Sequence, residues 1–390
     1  MTERERAFQL LRRVEHESAY AAILLQNESG FVRTLVLGVL RWRSRLDQAI
    51  ETISERRISK LDPNVVDILR LGIYQLMFMD VARYAAVSES VDLAARYAKR
   101  ARGFVNAILR RASETDLPSL AKDLPTRTAH PDWLLRRWTR MYGADRAAKI
   151  AEANQELSYP DVFLGGAPPP PAAQPSRLVP GMFRLTGSSA DIDGHVLDEG
   201  SAVIADLAAA TGTEVLDLAA APGGKTLIMT ARGARVISND ISLGRLRPLM
   251  GRSRAIVVSD GRHAAFRRRF STVLLDAPCS ATGTIRKNPE IKWRLHEEDI
   301  QRFPRLQREL LDAALDLAAT TVVYSTCSLE REENDDVVDS VLSSRDDFER
   351  ADAARFLNED VRRWVENGVL RLTPESGADG FTAFVLQRRR

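Results

Sequence analysis

The chain has 390 residues, of which 44% are hydrophobic and 28% are charged. This is enough material for two or three domains with cores, which excludes a disordered chain and a small disulfide scaffold. The formal net charge is only +3, so the whole chain is not a polycation that binds nucleic acid through bulk charge. The two cysteines, Cys279 and Cys327, indicate a reducing compartment and argue against a cysteine-based zinc site.

Residues 1 to 112 are predicted to be entirely helical. Apolar residues recur there at spacings of three and four, and Asp62-Pro63 supplies a helix cap followed by a first-turn proline. The repeating positions are Val65, Ile68, Leu69, Gly72, Ile73 and Leu76. The charged N-terminus and the absence of an apolar run of about 18 residues lead us to expect a cytoplasmic protein without a membrane segment.

Basic charge is concentrated in this helical part, which carries +6, whereas residues 113 to 390 carry −3. Such a cluster fits an RNA-facing surface, and it equally fits ordinary solvated helix faces. The basic residues concerned are Arg41, Arg43, Arg45, Arg96, Lys99, Arg100, Arg102, Arg110 and Arg111.

The middle of the chain is predicted to separate two domains. Residues 113 to 163 resemble a further helical piece around Trp133 and Trp138, and the proline-rich stretch from Gly165 to Pro175 is typical of a stiff connection. We therefore expect a helical domain over residues 1–115, a linker and short accessory region over 116–200, and a second domain over 201–390.

From Glu214 onward, short apolar runs of β type alternate with helical stretches. This alternation predicts a doubly wound, mostly parallel α/β sheet of the Rossmann-like kind, with ligands beyond the carboxyl ends of the strands. The runs are Glu214 to Leu218, Arg235 to Asn239, Ala255 to Ser259, Thr272 to Leu275 and Thr321 to Tyr324.

The first run leads into a tight loop, Asp217-Leu-Ala-Ala-Ala-Pro-Gly-Gly-Lys-Thr226. The loop nearly fits a phosphate-binding P-loop, and Asp276 resembles the acidic residue that holds magnesium in P-loop enzymes. However, Ala219 replaces the leading glycine, and Pro222 removes an N–H group from a loop that would donate to phosphates. A nucleotide hydrolase therefore remains only an alternative.

Three acids follow successive strands of the predicted sheet. Asp240 is placed to accept hydrogen bonds from ribose hydroxyls, Asp260 is placed near an adenine, and Asp276 follows the fourth run. Because turns favour aspartate, a single such acid would carry little weight. Three in succession favour a nucleoside cofactor.

Both cysteines follow strands at the same predicted edge, in Asp276-Ala-Pro-Cys-Ser280 and in Ser325-Thr-Cys-Ser328. A free cysteine is usually a buried, inert residue. Because both cysteines of the chain lie at equivalent strand ends, the pattern favours a chemical role for them.

These stretches resemble the NOL1/NOP2/Sun family of RNA cytosine-5 methyltransferases. The similar segments are Leu216 to Thr226, Leu275-Asp-Ala-Pro-Cys-Ser280, Thr282 to Trp293, Tyr324-Ser-Thr-Cys-Ser328 and Asp379-Gly-Phe381. Leu69 to Leu76, Ala86 to Val91 and Gly103 to Arg110 resemble the NusB-like helical RNA-binding domain of bacterial members that act on 16S ribosomal RNA, and His130 to Trp138 is similar to the segment that follows it. The chain departs from the family at Ala219, where a cysteine is usual, and in its short, proline-rich region from Pro160 to Gly200, where a small RNA-recognition domain is expected.

The resemblance implies an all-α NusB-like domain followed by a Rossmann-like class I methyltransferase domain. It implies methylation of carbon 5 of a cytosine in 16S ribosomal RNA, with S-adenosylmethionine as cofactor and 16S ribosomal RNA or a small-subunit assembly intermediate as partner. The expected protein is a monomer that needs neither a metal nor a membrane. A P-loop NTPase and a non-catalytic RNA-binding or antitermination-like factor are the alternatives.

The resemblance also assigns roles to single residues. Cys327 is the nucleophile that adds to carbon 6, Cys279 assists product release, and Asp276 contacts cytosine and cofactor. The expected cofactor-binding residues are Ala219, Ala220, Ala221, Pro222, Gly223, Gly224, Lys225, Asp240, Asp260 and Asp276. The expected RNA-binding residues are Arg286, Lys287, Lys292 and Trp293. A helix beginning near Glu330 would favour the Cys327 thiolate, whereas Glu330, Glu332 and Glu333 would oppose it if they point at the sulfur.

Overall fold

A computed structural model describes residues 1–171, 173–185 and 194–389. The chain divides into two compact units. The first unit comprises Met1–Glu156 together with Asn288–Arg294, and the second comprises Leu157–Lys287 together with Leu295–Arg390. No helix in the described ranges is both long enough and apolar enough to cross a membrane.

The N-terminal part of the first unit is helical, as predicted. Its α-helices are α1 (Glu3–His16), α2 (Ala21–Leu24), α3 (Gly30–Ser54), α4 (Pro63–Phe78), α5 (Arg83–Tyr97), α6 (Arg102–Glu114), α7 (Leu124–Thr128), α8 (Asp132–Tyr142) and α9 (Ala144–Ala153).

Helix α4 shows how the sequence specifies this unit. It begins where predicted, because the Asp62 side chain accepts a hydrogen bond from Asn64 N at 2.8 Å and Pro63 occupies the first turn. Its predicted apolar face is buried against the other helices. At Gly72 a Cβ atom would lie 2.7 Å from the Leu109 side chain, so a larger residue there would require that side chain to move.

The first unit extends past the predicted boundary at residue 115, because α7, α8 and α9 belong to it. Trp138 and Leu134 of α8 are fully buried, which explains why these helices pack rather than form a linker.

The second unit begins with a small antiparallel sheet in the region predicted to be linker and accessory segment. Its strands are β1 (Asp161–Phe163), β2 (Gln174–Pro175), β3 (Met182–Arg184) and β4 (His195–Val196), in the order β2-β3-β1-β4. The predicted stiff connection thus contains β2. Residues 172 and 186–193, which belong to the same proline-rich region, lie outside the described residues.

The larger sheet has nine strands. They are β5 (Glu214–Asp217), β6 (Arg235–Asp240), β7 (Ile256–Val258), β8 (Phe270–Asp276), β9 (Ala318–Thr326), β10 (Phe348–Ala351), β11 (Val365–Glu366), β12 (Val369–Leu372) and β13 (Phe381–Arg388). The order is β11-β12-β13-β9-β8-β5-β6-β7, with β10 paired to β13.

Strands β5 to β9 are parallel and coincide with the five predicted runs, which confirms the doubly wound reading. Strand β13 is antiparallel to β9, with Thr382 opposite Thr326. The motif Asp379-Gly-Phe381 was the signal in the sequence that pointed to this strand.

Seven α-helices follow the first nine. They are α10 (Glu199–Thr211), α11 (Gly224–Ala231), α12 (Leu243–Leu246), α13 (Ile291–Arg294), α14 (Phe303–Leu317), α15 (Asp335–Leu342) and α16 (Glu359–Arg362). Helix α13 falls in the first unit and the other six in the second. The carboxyl ends of β5, β6, β7, β8 and β9 meet at one edge of the sheet, which positions the site described next.

Candidate active site

The loop after β5 joins the strand to helix α11. Asp217 ends the strand, is fully buried, and accepts a hydrogen bond from Thr226 Oγ1 at 2.7 Å. Gly223 has a φ of 111°, and a Cβ atom there would lie 2.2 Å from Leu249. Conformation and space therefore both require glycine at this position, which fixes the path of the loop.

Asp240, at the end of β6, stabilises this loop by a hydrogen bond to its backbone. Its carboxylate accepts hydrogen bonds from Ala221 N at 3.1 Å and from Ser242 N at 3.0 Å. Each oxygen therefore has one protein donor and keeps further lone pairs for hydroxyl groups of a ligand.

Asp260, which follows β7, is held by a basic neighbour. Arg262 donates to the Asp260 carboxylate at 2.6 Å and also pairs with Glu309 at 3.2 Å. Hydrogen bonds from the Arg262 side chain and backbone lower the pKa of Asp260 to about 2.

A cavity of about 500 Å³ joins these elements at the sheet edge. The three predicted acids, Asp240, Asp260 and Asp276, border it together with both cysteines. The other residues around it are Leu218, Ala219, Ala221, Ile241, Arg245, Gly261, Arg262, Ala277, Pro278, Leu306 and Leu310. A second cavity of about 320 Å³ lies against Ala219 to Lys225, including Ala220, Pro222, Gly223 and Gly224, and it also reaches Asp276.

Asp276, the last residue of β8, is fixed by two donors. Lys225 Nζ donates to Oδ2 at 2.6 Å, and Ser325 Oγ donates to Oδ1 at 2.9 Å. Burial disfavours the charged form of Lys225, but the Asp276 carboxylate outweighs burial and raises the pKa of Lys225. The ammonium group of Lys225 is therefore paired with Asp276 at the edge of the sheet.

The two cysteines face each other across the ends of β8 and β9, with their Sγ atoms 3.3 Å apart. The hydrogen bond with Cys327 and burial together raise the pKa of Cys279 well above its ordinary value. Cys279 therefore retains its proton and can donate an S–H group to the sulfur of Cys327.

The backbone of Cys327 is held where three segments meet. Gly283 N donates to Cys327 O at 2.9 Å, and Gly380 N donates to Gly283 O at 2.7 Å. A Cβ atom at Gly283 would lie 2.3 Å from Gly380 O. The two glycines explain why Thr282-Gly and Asp379-Gly occur in the motifs noted above.

The structure corrects the expectation that Arg286 and Lys287 offer free cations to RNA. Arg286 is 3% exposed and pairs with Asp379 at 3.6 Å. Lys287 pairs with Asp161 at 3.1 Å and with Asp198 at shorter range. Loss of either cation would leave a buried acidic group without its charged partner, which destabilises a fold.

Lys292 and Trp293 require the same correction, because they belong to the first unit. Lys292 is 1% exposed and donates to Arg41 O at 2.9 Å, and Trp293 Nε1 donates to Leu40 O at 2.5 Å. Arg41 is itself 4% exposed, whereas Lys99, Arg100, Arg102, Arg110 and Arg111 are exposed.

Sequence reasoning missed the groups that support the cysteines, chiefly Ser280, Ser328 and Glu333. The repeated Cys-Ser pairs were an available signal, since a serine follows each cysteine. The direction of the Glu333 side chain had no signal in the sequence. The helix expected near Glu330 begins instead at Asp335, after a 3₁₀ turn over Arg331–Glu333.

Two family models match the chain. The NusB family matches residues 1–114, and the family described as 16S rRNA methyltransferase RsmB/F matches residues 204–387. Within the described residues, the structure has no group of three or more histidine, cysteine, aspartate or glutamate side chains placed to hold a metal ion.

Similar proteins agree with these matches. A ribosomal RNA small subunit methyltransferase B from Pseudomonas putida is 31% identical, with 91% of this chain and 89% of that protein covered. A putative methyltransferase from Mycobacterium tuberculosis is 33% identical, with 83% of each chain covered. The crystal structure of PH0851 has the same fold, with a TM-score of 0.78, 24% identity and 98% of each chain covered. The chain therefore belongs to the RsmB/F family of 16S ribosomal RNA methyltransferases, which take their methyl group from S-adenosylmethionine.

Proposed function

We propose that the chain methylates carbon 5 of a cytosine in 16S ribosomal RNA through a covalent bond between Cys327 and carbon 6. The observation that carries this proposal is the pair of thiols, 3.3 Å apart, beside Asp276 at the rim of the larger cavity. An enzyme that methylates a nitrogen or an oxygen has no use for a nucleophilic thiol with a second thiol against it.

The two cavities support a site for S-adenosylmethionine at the residues predicted from the sequence. Ala219 to Lys225 would follow the methionine end, Asp240 would accept hydrogen bonds from the ribose hydroxyls, and Asp260 would lie near the adenine. The volume of about 500 Å³ lies within the usual range of cofactor sites. When bound, the cofactor supplies an electrophilic methyl group on a sulfonium ion.

Cytosine carbon 5 is too weak a nucleophile to accept that methyl group unaided. The Cys327 thiolate would add to carbon 6 and form a C–S bond while the C5=C6 double bond opens toward carbon 5. Carbon 5 would then form the new C–C bond to the methyl group, whose bond to the sulfonium sulfur breaks and leaves its electron pair on that sulfur. Asp276, held by Lys225 and Ser325, is placed to orient the base at the cavity rim.

Release of the product reverses the addition. The carbon 5 proton passes to water, the ring double bond forms again, and the electron pair of the C–S bond returns to the Cys327 sulfur. The Cys279 S–H group stabilises the departing thiolate by hydrogen bonding at 3.3 Å. The expected protonated state of Cys279 suits this role.

The RNA partner is proposed from the relatives' names and from the NusB-like domain. The exposed basic residues Lys99, Arg100, Arg102, Arg110 and Arg111 give that unit a surface for phosphate contacts. Either 16S ribosomal RNA or an assembling small subunit would meet such a surface.

The experiment is methyl transfer from labelled S-adenosylmethionine to 16S ribosomal RNA, followed by bisulfite sequencing. Cys327→Ala should abolish transfer, whereas Cys279→Ala should accumulate a protein–RNA adduct that survives a denaturing gel. Full transfer by Cys327→Ala would refute the covalent mechanism. Label on a base other than cytosine would refute the substrate.

A further inference from the structure

Glu333 is a buried carboxylate that bridges the two loops carrying the cysteines. Its side chain is fully buried. Oε1 accepts a hydrogen bond from Ser280 N at 2.8 Å, and Oε2 accepts one from Ser280 Oγ at 2.5 Å and another from Ser328 Oγ. Since Ser280 follows Cys279 and Ser328 follows Cys327, one carboxylate ties together the residues next to both thiols.

The carboxylate is itself held in place by the surrounding elements. Tyr324 Oη, on β9, donates to Glu333 O at 2.6 Å. Gln307 Nε2, on α14, donates to Glu333 Oε1 at 3.4 Å and to Pro278 O at 2.8 Å. Gln307 therefore fixes the residue before Cys279, while Glu333 fixes the residue after it.

Asn334 supports the other loop in the same way. Thr326 Oγ1 donates to Asn334 Oδ1 at 2.7 Å, and Asn334 Nδ2 donates to Ser328 O at 3.0 Å. The residues on both sides of Cys327 are thus anchored to one side chain. The serine hydroxyls Ser280 Oγ and Ser328 Oγ lie 3.2 Å apart, so the loops touch directly as well.

The arrangement places the carboxyl group of Glu333 close to the Cys279 loop. Within the described residues, no basic side chain forms an ion pair with Glu333. Burial raises the pKa of Glu333, although the hydrogen bonds from Ser280 and Ser328 oppose this effect. The titratable neighbours of Cys279 are Cys327 and Glu333, which both raise the pKa of the Cys279 thiol, and Tyr324 on β9.

We propose that Glu333 is a positioning residue that holds the Cys279 loop against the Cys327 loop and thereby sets the contact used in product release. This inference rests on the proposed function, because it concerns the step in which Cys327 leaves carbon 6. Glu333 does not border either cavity of the site, so it acts through Ser280 and Ser328 rather than on the base.

The test compares Glu333→Gln with Glu349→Gln, a matched change at an exposed glutamate in the same unit. Glutamine fills the same space, but it is uncharged and has only one accepting oxygen, because an NH₂ group replaces the other. Glu333→Gln should lower kcat about tenfold at an unchanged KM for RNA and should accumulate the adduct. Glu349→Gln should behave like the unaltered chain.

A second readout measures the thiols without any turnover. In a Cys327→Ser background Cys279 is the only thiol, so its alkylation by iodoacetamide across a pH series gives its pKa. Adding Glu333→Gln should move that profile down by about one pH unit, because a neighbouring negative charge is lost. Unchanged alkylation together with unchanged release would overturn the proposal.

Further variants keep the proposal testable if Glu333→Gln does not fold. Ser280→Ala and Ser328→Ala each remove one hydroxyl group that donates a hydrogen bond to Glu333, and each leaves the Glu333 carboxyl group in place. Each should accumulate adduct to a smaller extent, and normal release by both would overturn the proposal. If no RNA cytosine is methylated but the alkylation profile shifts as expected, the proposed function fails while the geometric role of Glu333 stands.

Discussion

The sulfur atoms of Cys279 and Cys327 lie 3.3 Å apart although the two residues are 48 positions apart in the chain. A disulfide requires about 2.05 Å between its sulfurs, so roughly 1 Å of approach joins them. The chain has no other cysteine to compete for either partner.

We therefore predict that dilute hydrogen peroxide converts the pair to an intramolecular disulfide. The two thiols lose two protons and two electrons, and the peroxide is reduced to two water molecules. Intact-mass spectrometry should show the loss of two hydrogen atoms, and dithiothreitol should restore both free thiols. Cys279→Ser is the control and should not lose these hydrogens. Cross-linked dimers of the unaltered chain in place of the internal bond would contradict the geometry.

A second prediction concerns the support of Asp276. Ser325→Ala removes the hydroxyl that donates to Asp276 Oδ1 at 2.9 Å and leaves the Lys225 contact in place. Losing one hydrogen bond of about 1 kcal/mol from the group that we propose orients the base should lower kcat about fivefold. Ser340→Ala, at an exposed serine in α15, is the matched control. Steady-state methylation kinetics compare the kcat values of the two variants. Equal values would exclude a role for the hydrogen bond between Ser325 and Asp276.

The fold could be predicted because its signals are local. The β-type runs and the cap at Asp62-Pro63 depend on residues close together in the sequence, and both appear where expected. The residues of the candidate site could be predicted in the same way, since each acid and each cysteine lies at the end of a strand or within three residues of that end. Burial of Lys292 depends instead on Arg41, which lies 251 positions away, so no local pattern marks that lysine as internal. Glu333 likewise meets Ser280 across 53 positions.

A third prediction follows from the position of Lys292 in the first unit. Burial, and then the charge of Arg41, lower the pKa of Lys292 well below its ordinary value. Replacement by methionine should therefore stabilise the unit at pH 7 by about 1–2 kcal/mol, because an apolar chain of similar length needs no solvation. The gain should shrink toward pH 10, where the lysine of the unfolded chain also loses its proton.

Urea unfolding at the two pH values measures this effect, and RNA affinity supplies the discriminating control. If Lys292 is internal, the Lys292→Met variant should bind RNA with unchanged affinity. A clear loss of affinity in a folded Lys292→Met variant would instead support the RNA contact expected from the sequence.

The last prediction concerns Asp217. Among the described residues its Oδ1 has no hydrogen-bond partner, and its Oδ2 accepts a hydrogen bond from Thr226 Oγ1. Burial raises the pKa of Asp217 from 3.8 to about 7, so the folded chain binds a proton that the unfolded chain releases between these values. The stability contributed by this group is complete below pH 4 and is lost as the pH rises through 7. Between pH 5 and pH 8 the loss of stability should be roughly 2–3 kcal/mol.

Asp217→Asn has no carboxyl group to titrate, so its free energy of unfolding should fall less over this range. Asp346→Asn, at an exposed position, should follow the unaltered chain. Urea titrations at both pH values compare the three proteins, and parallel losses in all three would show that Asp217 is ionised throughout.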